Sequence, residues 1–225
     1  VEKVSVIIPC FNDGDRIIEI VNEIKKSTGF FEIIIIDDGS DAKTKAVLSS
    51  INSIQLITHE KNMGKSQALL SGVKLSNNDA LLFIDADLQN FNSDHVESLI
   101  KTFFSKNYDM VLGLRENELW LTKSIGFAQA YTGERIVRKS RMMNHLEIFN
   151  AGNYLIEPAI NKLFFHNHKV GAVTLKDLGQ KYKIQKRGLF GLVSDFKMYK
   201  DYYDYLGMKE LFFQMRFAKR SDVLT

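Results

Sequence analysis

Short β-branched runs alternate with stretches of helical spacing along the first half of the chain. Val4-Ser5-Val6-Ile7-Ile8 predicts a strand, Ile17, Ile18, Val21 and Ile24 share one face of a helix, and Ile33 to Ile36 is an apolar run too short for a helix. The alternation continues with a predicted strand at Ile54 to Ile57, a helix over Gln67 to Leu75, a strand at Ala80 to Ile84, a helix over Val96 to Phe104 and a strand at Met110 to Leu112. Continuous apolar strands separated by helices predict a mostly parallel sheet with helices on both faces.

The second half is less regular. Residues 119–145 read as helical and basic, with Lys123, Arg135, Arg138, Lys139 and Arg141. Glu157-Pro158 opens a short helix, and Val170 to Leu175 and Tyr182 to Lys186 read as strands. Near the C-terminus, Tyr199, Tyr202, Tyr203 and Leu206, then Met208, Leu211, Phe212 and Met215, each fall at i, i+3, i+4, i+7, with Gly207 between the two sets. The expectation is one α/β domain over 1–225, with a regular half (1–115), a less regular half (116–195) and an amphipathic helical extension (196–225).

Composition narrows the class. With 45% hydrophobic residues, 14 Gly, 2 Pro and one cysteine, Cys10, the chain is neither disordered, collagenous nor a disulfide scaffold. No apolar run approaches the roughly 18 residues of a membrane span, and no signal-peptide core precedes the first turn. The expected location is therefore cytoplasmic, or peripheral on the inner face of the membrane. The last fifty residues hold 11 of the 30 basic but only 6 of the 27 acidic side chains. Such a tail, with aromatics among its cations, suits phosphates or an anionic surface as well as a solvated helix face.

In open α/β sheets, ligands bind beyond the carboxyl ends of the strands. Four successive strand ends carry polar groups: Pro9 to Asp13, Asp37-Asp38-Gly39-Ser40, His59 to Lys65, and Asp85-Ala86-Asp87-Leu88-Gln89. If the strands are neighbours, several carboxylates converge, which is costly unless donors or a cation balance them. Hard oxygen ligands with open positions favour Mg²⁺ or Mn²⁺, bound by one or two carboxylates together with substrate phosphates.

Pro9-x-x-Asn12-Asp13, Asp37-Asp38-Gly39-Ser40, Asn62-x-Gly64-Lys65 and Asp85-Ala86-Asp87-Leu88-Gln89, in this order, resemble the nucleotide-sugar domain of family 2 glycosyltransferases with the GT-A fold. The likeness is to the polyprenyl-phosphate hexosyltransferase type, and is specific over residues 4–115. It is looser from Thr132-Gly133-Glu134-Arg135 to the stretch ending in Glu157. The resemblance implies a Rossmann-like nucleotide-sugar domain and an inverting hexose transfer from a UDP- or GDP-sugar to an acceptor, polyprenyl phosphate. It implies that Asp38, or Asp37 beside it, accepts from the base, with Pro9 and Phe11 shaping the base and ribose pocket. Asn12, Asp13 and Ala86 are carried as donor-site positions, and Asp85 and Asp87 as the ligands of Mg²⁺ or Mn²⁺. Two positions depart from the family pattern: Asp13 replaces a Glu, and Leu114 replaces the Ser of a Gly-Ser-Arg.

A diphosphate needs cations, and Lys65, Arg115, Arg135, Lys186 and Arg187 are candidates; Lys186-Arg187-Gly188 resembles a basic loop of the family. An attacking hydroxyl needs a base, for which Glu157 is the leading candidate and Asp177 a weaker one. A phosphate acceptor, ionised at neutral pH, needs positioning more than deprotonation. Two alternatives stand beside the lipid-phosphate reading: transfer to a soluble or polysaccharide hydroxyl with Glu157 as base, and a non-catalytic nucleotide-sugar-binding subunit. The turn after the first strand has no G-x-G-x-x-G, which disfavours a dinucleotide-binding dehydrogenase.

Overall fold

The computed structural model describes residues 2–115, 130–152, 155–180 and 189–218. The first half follows the alternation in the sequence: β1 (Lys3–Cys10), α1 (Gly14–Lys26), β2 (Phe30–Asp37), α2 (Ala42–Ser49), β3 (Gln55–Thr58), α3 (Lys65–Leu75), β4 (Ala80–Phe83), the two-residue β5 (Leu88–Gln89), α4 (Ser93–Ser105) and β6 (Met110–Arg115). Then come β7 (Arg135–Arg138), a short α5 (Lys139–Met142), a 3₁₀ segment over Met143–Asn150, α6 (Ile156–Asn167), β8 (Val170–Leu175), β9 (Gly179–Gln180) and α7 (Leu189–Phe217).

Seven strands form one sheet in the order β3-β2-β1-β4-β7-β6-β8. Pairing is parallel except around β7, which runs antiparallel to both β4 and β6. Alternation along each strand divides the core into two layers. Val4, Val6 and Ile8 of β1 with Ile33 and Ile35 of β2 meet Ile17, Val21 and Ile24 of α1 and Val96, Leu99 and Phe103 of α4. Ile7, Leu81, Phe83 and Leu112 face the other way, onto Leu69 and Val73 of α3 and Ile160 and Phe164 of α6. Each fully buried aliphatic side chain contributes about 1.5–3 kcal/mol, so the isoleucine runs stabilise a rigid platform.

The β7 strand corrects the expectation of a helix over 119–145. Residues 116–129 lie outside the described residues, but Arg135 to Arg138 are strand, and Arg135 is 1% exposed. Its guanidinium donates to Asn161 Oδ1 at 3.0 Å and to the Thr132 carbonyl. A candidate phosphate-binding cation is thus a core residue. The antiparallel course of β7 brings its N-terminal flank, Tyr131 to Glu134, to the edge where β4 and β6 end. The predicted strand at Tyr182 to Lys186 lies outside the described residues.

His166 belongs to the last turn of α6. The C-terminal helix begins at Leu189, ahead of the expected boundary at 196, and breaks where the sequence placed a break, at Gly207 (φ 70°). Its second half docks on α6: His166 Nε2 lies 2.9 Å from Glu210 Oε2 and the His166 ring stacks on Phe213, while Phe217 stacks on Phe165. Phe213 and Phe217 therefore face inward, and among the described side chains of this helix the exposed large apolar ones are Tyr203, Met208 and Phe212. Among the described residues no helix is long and apolar enough to cross a membrane.

Candidate active site

Chain connectivity reverses at β1, with β2 and β3 to one side of it and β4 to the other, and the crevice beyond such a reversal is where open sheets bind ligands. A cavity of about 410 Å³ opens there, lined by Pro9, Phe11, Asp13, Asp38, Lys65, Asp85, Ala86, Asp87, Arg115 and Glu157 among others. Ten of the expected site residues share this one cavity. Its size is within the roughly 300–1,000 Å³ of small-molecule sites.

Asn12 and Asp37 do not line the cavity; they hold the loops that do. Asn12 accepts from the Asp41 amide at 2.8 Å and its own amide donates to Ser40 Oγ at 3.0 Å, while Asp37 Oδ1 accepts from the Ser40 amide at 2.9 Å. Gly39 between them has φ 75°, and a β-carbon there would lie 2.5 Å from the Lys61 carbonyl carbon, so glycine alone fits the turn. Lys186 and Arg187 lie outside the described residues.

Asp38 is bound on both oxygens. Oδ1 accepts from His59 Nδ1 at 2.8 Å and from the Met63 amide at 2.9 Å, and Oδ2 accepts from the Gly64 amide at 2.7 Å. The carboxylate thereby fastens the loop after β2 to the turn that starts α3. Oδ2 retains acceptor capacity for one further donor.

Asp85 and Asp87 reach the cavity from the turn between β4 and β5, since the strand ends at Phe83; a turn, and not strand alternation, places them. Lys65 Nζ bridges Asp85 Oδ1 at 2.7 Å and Glu157 Oε1 at 2.8 Å. Burial works against the Lys65 charge, but the two carboxylates outweigh it and hold its pKa above the ordinary lysine range. Burial likewise works against the Asp85 charge, and Lys65, with Arg115 and Arg135 farther off, holds its pKa below the ordinary 3.8. Arg115 donates Nε and Nη2 to Glu134 at 3.0 and 2.8 Å, a bidentate pair whose carboxylate is fully buried. Burial pushes the Cys10 thiol up to about 12, leaving it inert at neutral pH.

Tyr131, Gly133, Met198 and Tyr202 also line the cavity, and the sequence marked none of them as a site residue. Tyr131 and Tyr202 meet edge to face at 4.7 Å, and both line the cavity with Met198. Gly133 is packed so closely that a β-carbon would lie 2.6 Å from Asp85 Oδ2 and 3.1 Å from Lys65 Nζ. Tyr202 stood only in the helical spacing of the C-terminal stretch; Gly133 stood in a motif but without a role. Asp177, the weaker base candidate, occupies the turn between β8 and β9 outside the cavity.

The donor set suits a hard divalent ion. Two aspartates of one turn face a shared cavity, and among the described residues no group of three His, Cys, Asp or Glu is disposed to hold a metal. Substrate oxygens or water would have to complete the coordination, which is how Mg²⁺ is ordinarily held.

A mostly parallel sheet with carboxylates gathered where its connectivity reverses is the GT-A glycosyltransferase architecture. Glucosyl-3-phosphoglycerate synthase from Mycobacterium tuberculosis, solved with Mn²⁺, UDP and phosphoglyceric acid, shares it: TM-score 0.64 at 17% identity, over 85% of this chain and 78% of that one. S. aureus TarS, residues 1–349, shares it with TM-score 0.62 at 18% identity, over 78% of this chain and 58% of that one. The chain belongs to glycosyl transferase family 2, whose match runs over residues 5–170. It is 32% identical over 126 residues to an undecaprenyl-phosphate 4-deoxy-4-formamido-L-arabinose transferase of Photorhabdus laumondii, covering 52% of this chain and 38% of that protein. It is 25% identical over 119 residues to a 4,4'-diaponeurosporenoate glycosyltransferase of Staphylococcus haemolyticus, covering 51% of this chain and 32% of that protein. An uncharacterized protein of Methanocaldococcus jannaschii matches at 33% over 134 residues, 56% of this chain and 54% of its own length. The chain thus spans about half the length of these curated relatives, or less.

Proposed function

We propose that the protein is an inverting glycosyltransferase that moves a hexose from a UDP- or GDP-sugar to polyprenyl phosphate. The observation that carries the reading is the convergence of Asp38, Lys65, Asp85, Asp87, Arg115 and Glu157 on one cavity beyond β1 and β4. The lipid acceptor draws support from the relative named as an undecaprenyl-phosphate transferase.

Asp38 Oδ2 accepts from the ring N–H of the base, while Pro9 and Phe11 wall the base and ribose. Asp85 and Asp87 would hold Mg²⁺ or Mn²⁺, which supplies positive charge against the diphosphate. Lys65 adds a cation near the same charge, and Lys186 and Arg187 are proposed to do so from beyond the described residues. Charge building on the leaving nucleotide is thereby met by groups already in place. Glu157, fixed by Lys65, borders the acceptor side. A phosphate acceptor needs no base, so Glu157 orients Lys65 in this reading. Tyr131, Met198 and Tyr202 give the acceptor side an apolar wall. Exposed Tyr203, Met208 and Phe212 on the last helix are proposed to rest on the inner face of the membrane, beside a basic C-terminal stretch.

Purified protein is incubated with Mg²⁺ or Mn²⁺, radiolabelled UDP- and GDP-sugars and a membrane lipid extract, and the organic phase is counted. Label that enters the organic phase with wild type and not with Asp87→Ala is the expected result. Label confined to the aqueous phase despite metal-dependent donor binding overturns the lipid acceptor and directs the search to hydroxyls. Donor binding that is indifferent to metal, with no transfer to any acceptor, favours the non-catalytic subunit.

A further inference from the structure

We infer that Lys65 gates the divalent ion: by occupying the Asp85 carboxylate, its ammonium keeps a metal ion off the site until the donor diphosphate is present. The inference rests on the reading of Asp85 and Asp87 as the metal-holding pair.

Lys65 is the first residue of α3, an end where the unpaired backbone N–H groups make a cation unfavourable. It is held there by two carboxylates from separate parts of the fold, Asp85 at 2.7 Å and Glu157 at 2.8 Å. The bridge fixes the ammonium from both sides, so it does not swing clear of Asp85 without also leaving Glu157. Gly133 closes the other flank of the same carboxylate, with room for no β-carbon beside Asp85 Oδ2. Asp85 is therefore approached past a positive charge already in contact with it. A doubly charged ion sharing that carboxylate with an ammonium is repelled strongly at such separations, even through a high dielectric.

The donor reverses the balance. A nucleoside diphosphate brings negative oxygens that both cations share, so the repulsion between them is offset only when it is bound. Metal and donor then strengthen each other's binding by the same factor, as linkage requires. The site fills with metal and nucleotide together, and free Mg²⁺ or Mn²⁺ alone occupies it poorly.

The test measures Mn²⁺ binding directly, from the electron paramagnetic resonance signal of the free ion, with Mn²⁺ alone and with saturating UDP or GDP. Three chains are compared: wild type, Lys65→Met and Lys65→Arg, each shown folded by circular dichroism. With Mn²⁺ alone, Lys65→Met is expected to bind about tenfold more tightly than wild type or more, and Lys65→Arg to stay near wild type. The gain in Mn²⁺ affinity from nucleotide is expected to shrink in Lys65→Met. A folded Lys65→Met that binds Mn²⁺ alone no more tightly than wild type overturns the gate while leaving the metal reading intact. Wild type that takes up no Mn²⁺ with either nucleotide overturns the metal reading, and the gate with it.

Discussion

Asp38 Oδ1 and His59 Nδ1 lie 2.8 Å apart, joining the end of β2 to the end of β3 beside the cavity. His59 Nε2 sits 3.0 Å from Ser71 Oγ on α3, so the ring is held between the carboxylate and the serine hydroxyl. The imidazole thus fixes the carboxylate read here as the base-binding group. His59→Ala removes one of its three donors, and a hydrogen bond to a charged group contributes about 1.5–3 kcal/mol. UDP or GDP binding by calorimetry is expected to weaken by about tenfold, with Ser71→Ala doing less. Unchanged nucleotide affinity in His59→Ala would show that the two backbone amides suffice.

Arg115 and Glu134 form the other critical pair. Removing the partner of a buried charge costs about 3–5 kcal/mol, so Arg115→Ala is expected to be strongly destabilised. At roughly 2–4 °C per kcal/mol for a chain of this size, a fall in Tm of 6 °C or more, about the lower bound, is the outcome to look for by scanning calorimetry. The double variant Arg115→Met, Glu134→Leu is expected to recover much of it, because no charge is then stranded.

Gly133→Ala tests how closely the chain passes Asp85. The added carbon would press on Asp85 Oδ2 and on Lys65 Nζ, moving the carboxylate while leaving the sheet core untouched. Donor affinity is expected to fall by about tenfold with Tm within a few degrees of wild type. A loss of stability with normal affinity would assign the glycine to folding alone.

Glu157→Gln separates the acceptor classes. With a phosphate acceptor the rate is expected to stay within about threefold of wild type, because no proton has to be removed. A fall of 10²-fold or more, about the range of general base catalysis, would mark a hydroxyl acceptor.

Acid lowers stability through groups that can be named. Burial works against the Asp109 charge, but the Lys169 amide and Arg141 overcome it and hold its pKa below the ordinary 3.8. Its folded value lies under its unfolded one, so the contribution is present above about pH 4 and is lost as the pH falls through the folded value. Chemical denaturation from neutral to acid pH is expected to show this loss, with a shallower slope in Asp109→Asn.

The parts of the site that were legible in the sequence are those set by local pattern. Strands buried on both faces appear as unbroken runs such as Ile33 to Ile36, and the residues just after such a run have to emerge at the sheet edge, which marked Asp37, Asp38 and Asp85. The β7 strand gave no comparable signal. Its four residues carry arginine at both ends, and what makes Arg135 a core residue is Asn161, a partner from a distant helix. Tyr202 was equally opaque: helical spacing says that it faces inward, and only the docking of the last helix decides that it faces a cavity. For Lys65 the sequence supplied the cation, but its bridging of Asp85 and Glu157 depends on how three separate segments meet.

The break at Gly207 makes the last helix a two-piece lever. Met198 and Tyr202, on the near arm, line the cavity, whereas Glu210, Phe213, Gln214 and Phe217, on the far arm, clamp onto α6. Two backbone torsions of one glycine carry the load between them. The placing of Met198 and Tyr202 at the cavity is therefore coupled to the seating of the far arm, and Gln214, which donates to the Pro158 carbonyl at 3.2 Å, ties that seating to the residue next to Glu157.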